Sequence, residues 1–196
     1  MRLITLLFIT FSSAAVTLLA INADDKDDGH DHIAPNGAAC RIRATKGNKV
    51  SGMLTLKQHD GWVHVKGRVR GLTEGEHGFH IHQFGDTRSP DGKSAGGHFN
   101  PDGHDHGGPS DTKHHAGDLG NITANADGVA NVDIKAKDLS LISVIGRSFV
   151  VHGGKDDLKS QPSGAAGPRV GVGVIGIAGP VIKKVPAKKA SATDKK

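Results

Sequence analysis

Histidine is the residue type in this chain that could carry chemistry. The chain has 13 histidines among 196 residues, and eight of them lie between His77 and His115. His80 and His82 are separated by one residue in a stretch that predicts a β-strand, so both side chains point to one face and can bind the same ion. His152 ends a later apolar strand and is a further candidate ligand for that ion. For an isolated pair, a solvated strand face is the alternative, but the other histidines nearby favour a metal site.

A second group of potential ligands lies in and just after a long polar segment, residues 84–113. The segment is rich in Gly, Pro, Asp and His and has no hydrophobic periodicity, and a loop of this length in a compact domain usually has a function. Three imidazoles and one carboxylate make a complete tetrahedral zinc set, and such ligation could fold the loop. These four residues are His98, His106, His115 and Asp118. A metal protein is therefore predicted, with a loose metal-storage surface as the alternative from spacing alone.

The elements that must position these residues are predicted to be β-strands. The chain has 28 Gly, no Tyr and 4% aromatic residues, and its apolar residues alternate with a period of two from Cys40 onward. In one such stretch the alternation directs Val50, either Met53 or Leu54, and Leu56 towards a core. The fold class is predicted as all-β, an eight-stranded antiparallel Greek-key barrel or sandwich with two long functional loops. Strands are predicted at 49–57, 62–72, 78–83, 118–135 (a hairpin around Asp127 and Gly128), 148–152 and 169–177.

The chain divides into four regions by composition. Residues 1–23 are predicted to be a signal peptide, with a retained membrane anchor as the alternative. Residues 24–38 form an acidic linker in which His30 and His32 are expected to be solvated rather than to capture copper or zinc, and residues 39–182 form the folded domain. Residues 183–196 carry six Lys and one Asp, which equals the net charge of +5, and are predicted to be disordered. We expect export to a periplasmic or extracellular location and no nucleic-acid partner.

Six motifs follow one another along residues 40–179. They are GFHIHQFGD at 78–86, GGHFNP at 96–101, HGGP at 106–109, HAGDLGNI at 115–122, GRSFVVH at 146–152 and PRVGVGVIGIA at 168–178. Together they resemble the copper/zinc superoxide dismutase family. The resemblance implies one copper and one zinc ion per subunit, superoxide as the substrate, and dioxygen and hydrogen peroxide as the products.

The resemblance also implies a role for each matching residue. Arg169 would guide the anionic substrate, and His98 would be catalytic as a bridge between the two ions. Asp156 would link a copper-side to a zinc-side histidine. His104 and His114 lie close to ligand positions, but the motif contexts select His106 and His115 instead. The implied copper ligands are His80, His82, His98 and His152, and the implied zinc ligands are His98, His106, His115 and Asp118.

The chain departs from the family in one covalent feature, the disulfide that ties the long loop to the barrel. The two corresponding positions are Gly92 and Val172, and the single cysteine, Cys40, is expected to be a buried free thiol. Without this bond we expect the loop to depend more strongly on zinc, and a homodimer is expected only if the loop still supports a subunit contact. The second loop also carries few guiding charges, so weaker attraction of the substrate is expected.

Two alternatives remain from the sequence. An exported zinc- or copper-binding module with little or no turnover is the alternative function, but Arg169 and Asp156 favour the enzyme because storage of a metal needs neither of them. The Lys-rich tail is expected to be a solvated end, with weak contact to an anionic surface polymer or membrane as its alternative.

Overall fold

A computed structural model describes Pro35 and residues 37–179. The predicted signal peptide, most of the linker with His30 and His32, and the Lys-rich tail lie outside the described residues. The described part consists of eight strands, one 3-10 turn and one single-turn helix. The strands are β1 (Gly37–Ala44), β2 (Ser51–His59), β3 (Trp62–Arg70), β4 (Gly75–His82), β5 (Asp118–Ala124), β6 (Val129–Lys137), β7 (Ser148–His152) and β8 (Arg169–Ile177); the 3-10 turn is Lys93–Ala95, and α1 is Leu141–Val144.

The eight strands close into an antiparallel barrel in the order β1-β2-β3-β6-β5-β4-β7-β8. Two connections, from β3 to β4 and from β6 to β7, cross over an end of the barrel rather than joining neighbours. The predicted all-β barrel is therefore confirmed. Because β4 and β7 are neighbours, histidines that are far apart in the sequence lie side by side.

The barrel core follows from the alternation in the sequence. Leu54 and Leu56 of β2 are buried, whereas Met53 is 50% exposed, which decides between the two sequence alternatives. On the neighbouring strands β4 and β7, the rings of Phe79 and Phe149 stack with centroids 4.9 Å apart. Each buried aliphatic or aromatic side chain of this kind contributes roughly 1.5–3 kcal/mol relative to its exposed state. The core thus gives the histidine-bearing strands β4 and β7 a rigid support.

The strand boundaries differ from the prediction where polar residues interrupt the pattern. β4 begins at Gly75, earlier than predicted, because Glu76 and His77 do not continue the apolar alternation although they pair with β5. The predicted hairpin consists of β5 and β6, joined by a turn in which the Gly128 amide donates to the Asn125 carbonyl at 2.8 Å. Within the described part of the chain, none of the helices has the length and hydrophobicity needed to span a membrane.

Candidate metal centre

Strand β4 presents two histidines to the outer side of the barrel. Phe79 and Ile81 point into the core, so the intervening His80 and His82 point away from it, yet both are buried. They are covered by the long connection between β4 and β5. This loop returns to β4 at His98, whose backbone pairs with that of His82 in an isolated antiparallel β-bridge. The loop therefore turns an outer strand face into a water-excluded site.

Four histidines converge on one point beneath this loop, and we call them the four-histidine set. Each contributes one ring nitrogen, and these nitrogens all lie within 4.8 Å of one another. The inward atoms are His80 Nδ1, His82 Nε2, His98 Nε2 and His152 Nε2, and each is buried without a hydrogen-bond partner among the described residues. A buried polar atom without a partner is costly unless it binds something else. Four neutral imidazole nitrogens suit copper.

Hydrogen bonds on the opposite ring nitrogens fix the orientation of this set. His82 Nδ1 lies 2.9 Å from the Gly96 carbonyl oxygen, and His152 Nδ1 lies 3.1 Å from that of Gly167. His80 Nε2 lies 2.8 Å from Asp156 Oδ2. An imidazole that donates from one nitrogen keeps the lone pair of the other, so these contacts leave the inward nitrogens able to bind a metal.

A second set, the histidine–aspartate set, is formed by His98, His106, His115 and Asp118. Their ligand atoms also lie within 4.8 Å of one another, and all four residues are buried. Asp118 Oδ1 lies 2.7 Å from His98 Nδ1 and 3.2 Å from His115 Nδ1, while Asp118 Oδ2 lies 3.1 Å from His106 Nδ1. Three imidazoles and a carboxylate in this arrangement suit tetrahedral zinc.

Two residues connect the sets. The ring of His98 belongs to both, since its Nε2 faces the four-histidine set and its Nδ1 faces Asp118. Asp156 is fully buried and reaches His80 Nε2 at 2.8 Å with Oδ2 and His106 Nε2 at 3.0 Å with Oδ1. One carboxylate therefore orients a histidine from each set.

Burial keeps three members of the four-histidine set, His80, His82 and His152, neutral. It lowers the pKa of His80 to about 4 and that of His152 to about 3, and it lowers the pKa of His82 well below its usual value. Burial alone would raise the pKa of Asp118, but the hydrogen bond and charge of His98 hold the pKa of this carboxyl well below its usual range. Neutral imidazoles and an ionised carboxylate are the forms that bind metals.

Arg169, at the start of β8, lies at the edge of the four-histidine set. Its Nη1 donates to the Gly92 carbonyl at 2.7 Å and its Nη2 donates to the Gly96 carbonyl at 2.6 Å. The Gly96 oxygen thus accepts from both Arg169 and His82. Burial lowers the pKa of Arg169, but a guanidinium remains charged at any physiological pH.

The structure thus brings all the predicted ligands together and leaves the neighbouring histidines outside both sets. His104 Nδ1 lies 3.2 Å from the His114 carbonyl, and His114 Nδ1 lies 2.7 Å from the His115 carbonyl. Both rings are half-buried or partly exposed and contact backbone instead of converging on either set.

Sequence reasoning missed two supporting residues. His77 is buried, with Nδ1 2.9 Å from the carbonyl of His152 and Nε2 2.9 Å from that of Thr73, so it fastens the end of β7 to β4. Gly164 lies against the Asp156 carboxylate so closely that an added Cβ would overlap Oδ1. Neither residue could be identified from spacing, because each acts on a residue far along the chain.

Comparison with known proteins gives the same family throughout. A family model described as copper/zinc superoxide dismutase matches residues 50–175. Superoxide dismutase (Cu-Zn) 2 of Mesembryanthemum crystallinum is 49% identical over 140 residues, which cover 66% of this chain and 89% of that protein. The extracellular superoxide dismutase (Cu-Zn) of Onchocerca volvulus is 46% identical over 158 residues, covering 73% of this chain and 78% of that protein.

A solved structure has the same fold. The clock protein EA4 superposes with a TM-score of 0.69 at 38% sequence identity, covering 76% of this chain and 99% of that chain. The family match, the relatives and the two converging ligand sets agree on the chemistry. The chain belongs to the copper/zinc superoxide dismutase family and is an oxidoreductase that disproportionates superoxide with copper and zinc as its metals.

Proposed function

We propose that the superoxide dismutase reaction of this chain uses copper on the four-histidine set and zinc on the histidine–aspartate set. The observation that carries this assignment is His98, whose two ring nitrogens face the two different sets. The copper ligands are then His80, His82, His98 and His152, and the zinc ligands are His98, His106, His115 and Asp118.

The two metals supply different chemistry. Bound copper supplies a change between two oxidation states, whereas bound zinc keeps one oxidation state and orders the loop. In the overall reaction, one superoxide ion is oxidised to dioxygen and a second is reduced, taking up two protons to become hydrogen peroxide. Electrons and protons balance over the pair of substrate ions.

The chain's own residues attract the substrate and manage the proton. Arg169 keeps its positive charge at the edge of the four-histidine set, and its two hydrogen bonds to Gly92 and Gly96 hold it there, so it draws superoxide towards this edge. His98 Nε2 is the atom at which a proton can be held and then delivered to the reduced substrate. Asp156 is a positioning residue, because it touches only the outer nitrogens of His80 and His106.

Stepwise metal loading tests this assignment. The superoxide decay rate is measured for the purified chain with zinc, then copper, added in known amounts. We expect turnover to depend on copper and to collapse in His82→Ala, while the matched control His104→Ala keeps it, because His104 belongs to neither set. Tight zinc binding without copper-dependent turnover, or equal loss in both variants, would contradict the assignment.

We also infer that the chain is exported, with residues 1–23 removed and residues 39–182 forming the working domain. Two relatives named as extracellular superoxide dismutases, from Onchocerca volvulus and Brugia pahangi, support export. N-terminal sequencing of the protein from the outer compartment tests it, and an intact Met1 in that material would contradict cleavage. Whether the compartment is periplasmic or extracellular follows from the same fractionation.

A homodimer is our proposal for the assembly. Its support is the exposure of two apolar side chains near Gly85, Phe84 (57% exposed) and Val174 (40% exposed); a Cβ added at Gly85 would lie 3.1 Å from Val174 Cγ1. We expect sedimentation to give twice the subunit mass and Val174→Glu to give one subunit mass.

The proposed weak contact of the tail with anionic polymer or membrane is tested separately by comparing vesicle retention of residues 24–182 and 24–196.

A further inference from the structure

The basic residues of the barrel are concentrated on one side. Residues 37–179 carry 17 basic and 14 acidic side chains, a net charge of +3. The strands β1, β2, β3 and β6 alone carry eight basic residues and one acidic residue, and all nine are exposed. The acidic residue, Asp133, is already paired with His64 at 2.6 Å and Lys66 at 3.0 Å. This side of the molecule is therefore strongly positive although the domain as a whole is only slightly so.

The basic residues flank a shallow groove that crosses the strands β1, β2, β3 and β6, and Asp133 of β6 also lines it. Arg41 pairs with Met53 across one strand boundary, and Met53 pairs with Arg68 across the next. Ser51 likewise pairs with Arg70, so uncharged β2 side chains form the floor between two positive banks. Neighbouring strands are about 4.8 Å apart, which separates the banks by roughly 10 Å. We call this groove, of about 670 Å³, the β2 trough.

The guanidinium groups of the trough are available to an anionic partner. Arg41, Arg68 and Arg70 line the trough, and among the residues that the structure describes no carboxylate lies within ion-pair distance of any of them. Arg68 is additionally held by Asn131, to which its Nε donates at 3.1 Å. A guanidinium presents a planar fork of donors that matches sulfate and carboxylate oxygens. Arg41 on one side of the trough and Arg68 and Arg70 on the other therefore fit a narrow, linear polymer with negative groups on both sides.

We propose that the β2 trough binds a linear polysaccharide bearing sulfate or carboxylate groups. A single-stranded nucleic acid fits less well, because its bases need free aromatic faces. Trp62, the aromatic ring of this side, is already stacked on His59 at 4.1 Å and lies under Lys135 at 4.5 Å. A membrane also fits less well, because the trough offers only Met53 as an exposed large apolar side chain.

The trough lies on the side of the barrel opposite the four-histidine set, so a ligand in the trough does not block access of the substrate to that set. In the closed strand order, β2 lies opposite β4, and β3 lies opposite β7, whereas His80, His82 and His152 lie on β4 and β7. A polymer bound in the trough would therefore hold the enzyme at an anionic matrix, with the four-histidine set on the side of the barrel that faces away from the polymer. This inference concerns the barrel itself and is independent of the Lys-rich tail.

Affinity for heparin, measured against salt on the full chain loaded with copper and zinc, tests the proposal. Three variants remove the same charge: Arg41→Gln/Arg68→Gln/Arg70→Gln in the trough, Lys57→Gln/Lys135→Gln/Lys137→Gln on the same side outside it, and Lys183→Gln/Lys184→Gln/Lys188→Gln in the tail. We expect the trough variant to lose roughly tenfold or more in affinity and about one unit of salt slope per lost contact. We expect the other two to lose much less, and the superoxide decay rate of the heparin-bound protein to stay unchanged.

Several outcomes would overturn the proposal. Equal weakening in the trough and in the lysine variant outside it would mean diffuse attraction without a trough, and loss only in the tail variant would assign binding to the tail. Tighter binding to a duplex or single-stranded oligonucleotide of similar charge, or to vesicles with anionic lipid, would assign another class of partner. Failure to bind heparin at low salt would exclude the site altogether.

Discussion

The two ligand sets are assembled from chain segments of very different separation. The histidine–aspartate set comes from one continuous stretch, residues 98–118, most of which is loop. The four-histidine set draws on β4, on the loop and on β7, which pair within the barrel. The first set is therefore local in sequence and held mostly by the loop, with only Asp118 on a strand, whereas the second is distant in sequence and supported by the core.

Under the proposed assignment of copper and zinc, this difference predicts different tasks for the two metals. A loop that has no hydrophobic core of its own gains order from ligation, so zinc binding and loop folding are coupled. The histidines on β4 and β7 are held by the barrel and by contacts to Gly167 and Asp156, which are independent of the loop that carries His98. Removing copper should therefore stop the reaction without unfolding the site, and removing zinc should loosen the loop.

The largest expected effect separates these tasks with two single substitutions. In His82→Ala we expect superoxide turnover to fall roughly a thousandfold or more while the loop amides stay protected from hydrogen exchange. In His115→Ala we expect the amides of residues 99–117 to lose protection, because the zinc set is incomplete. Exchange mass spectrometry and superoxide decay on the same samples decide, and equal protection in both variants would remove the distinction.

Acid should destabilise the metal-free protein because the buried histidines of the four-histidine set cannot take up protons while the chain is folded. Burial lowers the folded pKa of His80 to about 4 and that of His152 to about 3, so between pH 6.5 and these values only the unfolded chain takes up the protons. These histidines therefore do not lower the free energy of unfolding above about pH 6.5. Between that pH and its folded pKa, each one lowers the free energy of unfolding by about 1.4 kcal/mol per pH unit.

Urea unfolding of the metal-free chain at pH 7, 6 and 5 measures this slope. His152→Gln should reduce the slope by about 1.4 kcal/mol per pH unit, because one titrating group is lost. An unfolding free energy that is flat between pH 7 and pH 5 would contradict the expectation.

The sequence allowed the barrel and the ligands to be predicted, but not the contacts that orient them. Alternation in β2 and β3 reports which side chains enter the core, and the spacing of His80 and His82 reports their common face. The partners of the outer ring nitrogens, such as the Gly96 carbonyl, depend on where the loop returns, which no local pattern encodes. Asp156 differs in this respect: the family resemblance implies that it links a histidine of each set, although no local pattern in the sequence encodes its two contacts.

The charge distribution was hidden for a related reason. Summed along the sequence, the domain is almost balanced, which suggested that its charge says little about partners. The strand order puts β3 between β2 and β6 and β1 beside β2, so basic residues from four strands share one side. Such clustering is a property of topology, and a composition average cannot contain it.

A disulfide would link the loop covalently to the barrel and so hold it independently of zinc. A Cβ added at Gly92 would lie 2.8 Å from Val172 Cγ2, so the two predicted positions are adjacent. In Gly92→Cys/Val172→Cys the bond would stabilise by about 4.5 kcal/mol in the chain-entropy model. The positive φ of 75° at Gly92 would cost about 1–2 kcal/mol with any other residue.

The oxidised and reduced forms of this double variant are compared by urea unfolding without metal. We expect the oxidised form to be more stable by several kcal/mol and its loop amides to be protected even without zinc. Cys40 should not compete for pairing, because it is buried and burial raises the pKa of its thiol to about 12. A loop that still exchanges freely in the oxidised form would show that zinc orders it by more than closing the chain.

The smallest expected effect concerns the carboxylate that joins the two sets. In Asp156→Asn one oxygen becomes an amide donor, which cannot accept from the ring nitrogen of His80 or of His106, so at least one ring loses its orientation. Because His98 is shared, misplacing either set disturbs the other, and we expect copper and zinc affinities both to fall, by about 10–100-fold. Asp157→Asn is the matched control, since that carboxylate is exposed and contacts only Lys159 and Ser160. Competition with chelators of known affinity measures both metals, and loss of one affinity alone would mean that the loop-held and barrel-held sets are independent despite their common carboxylate.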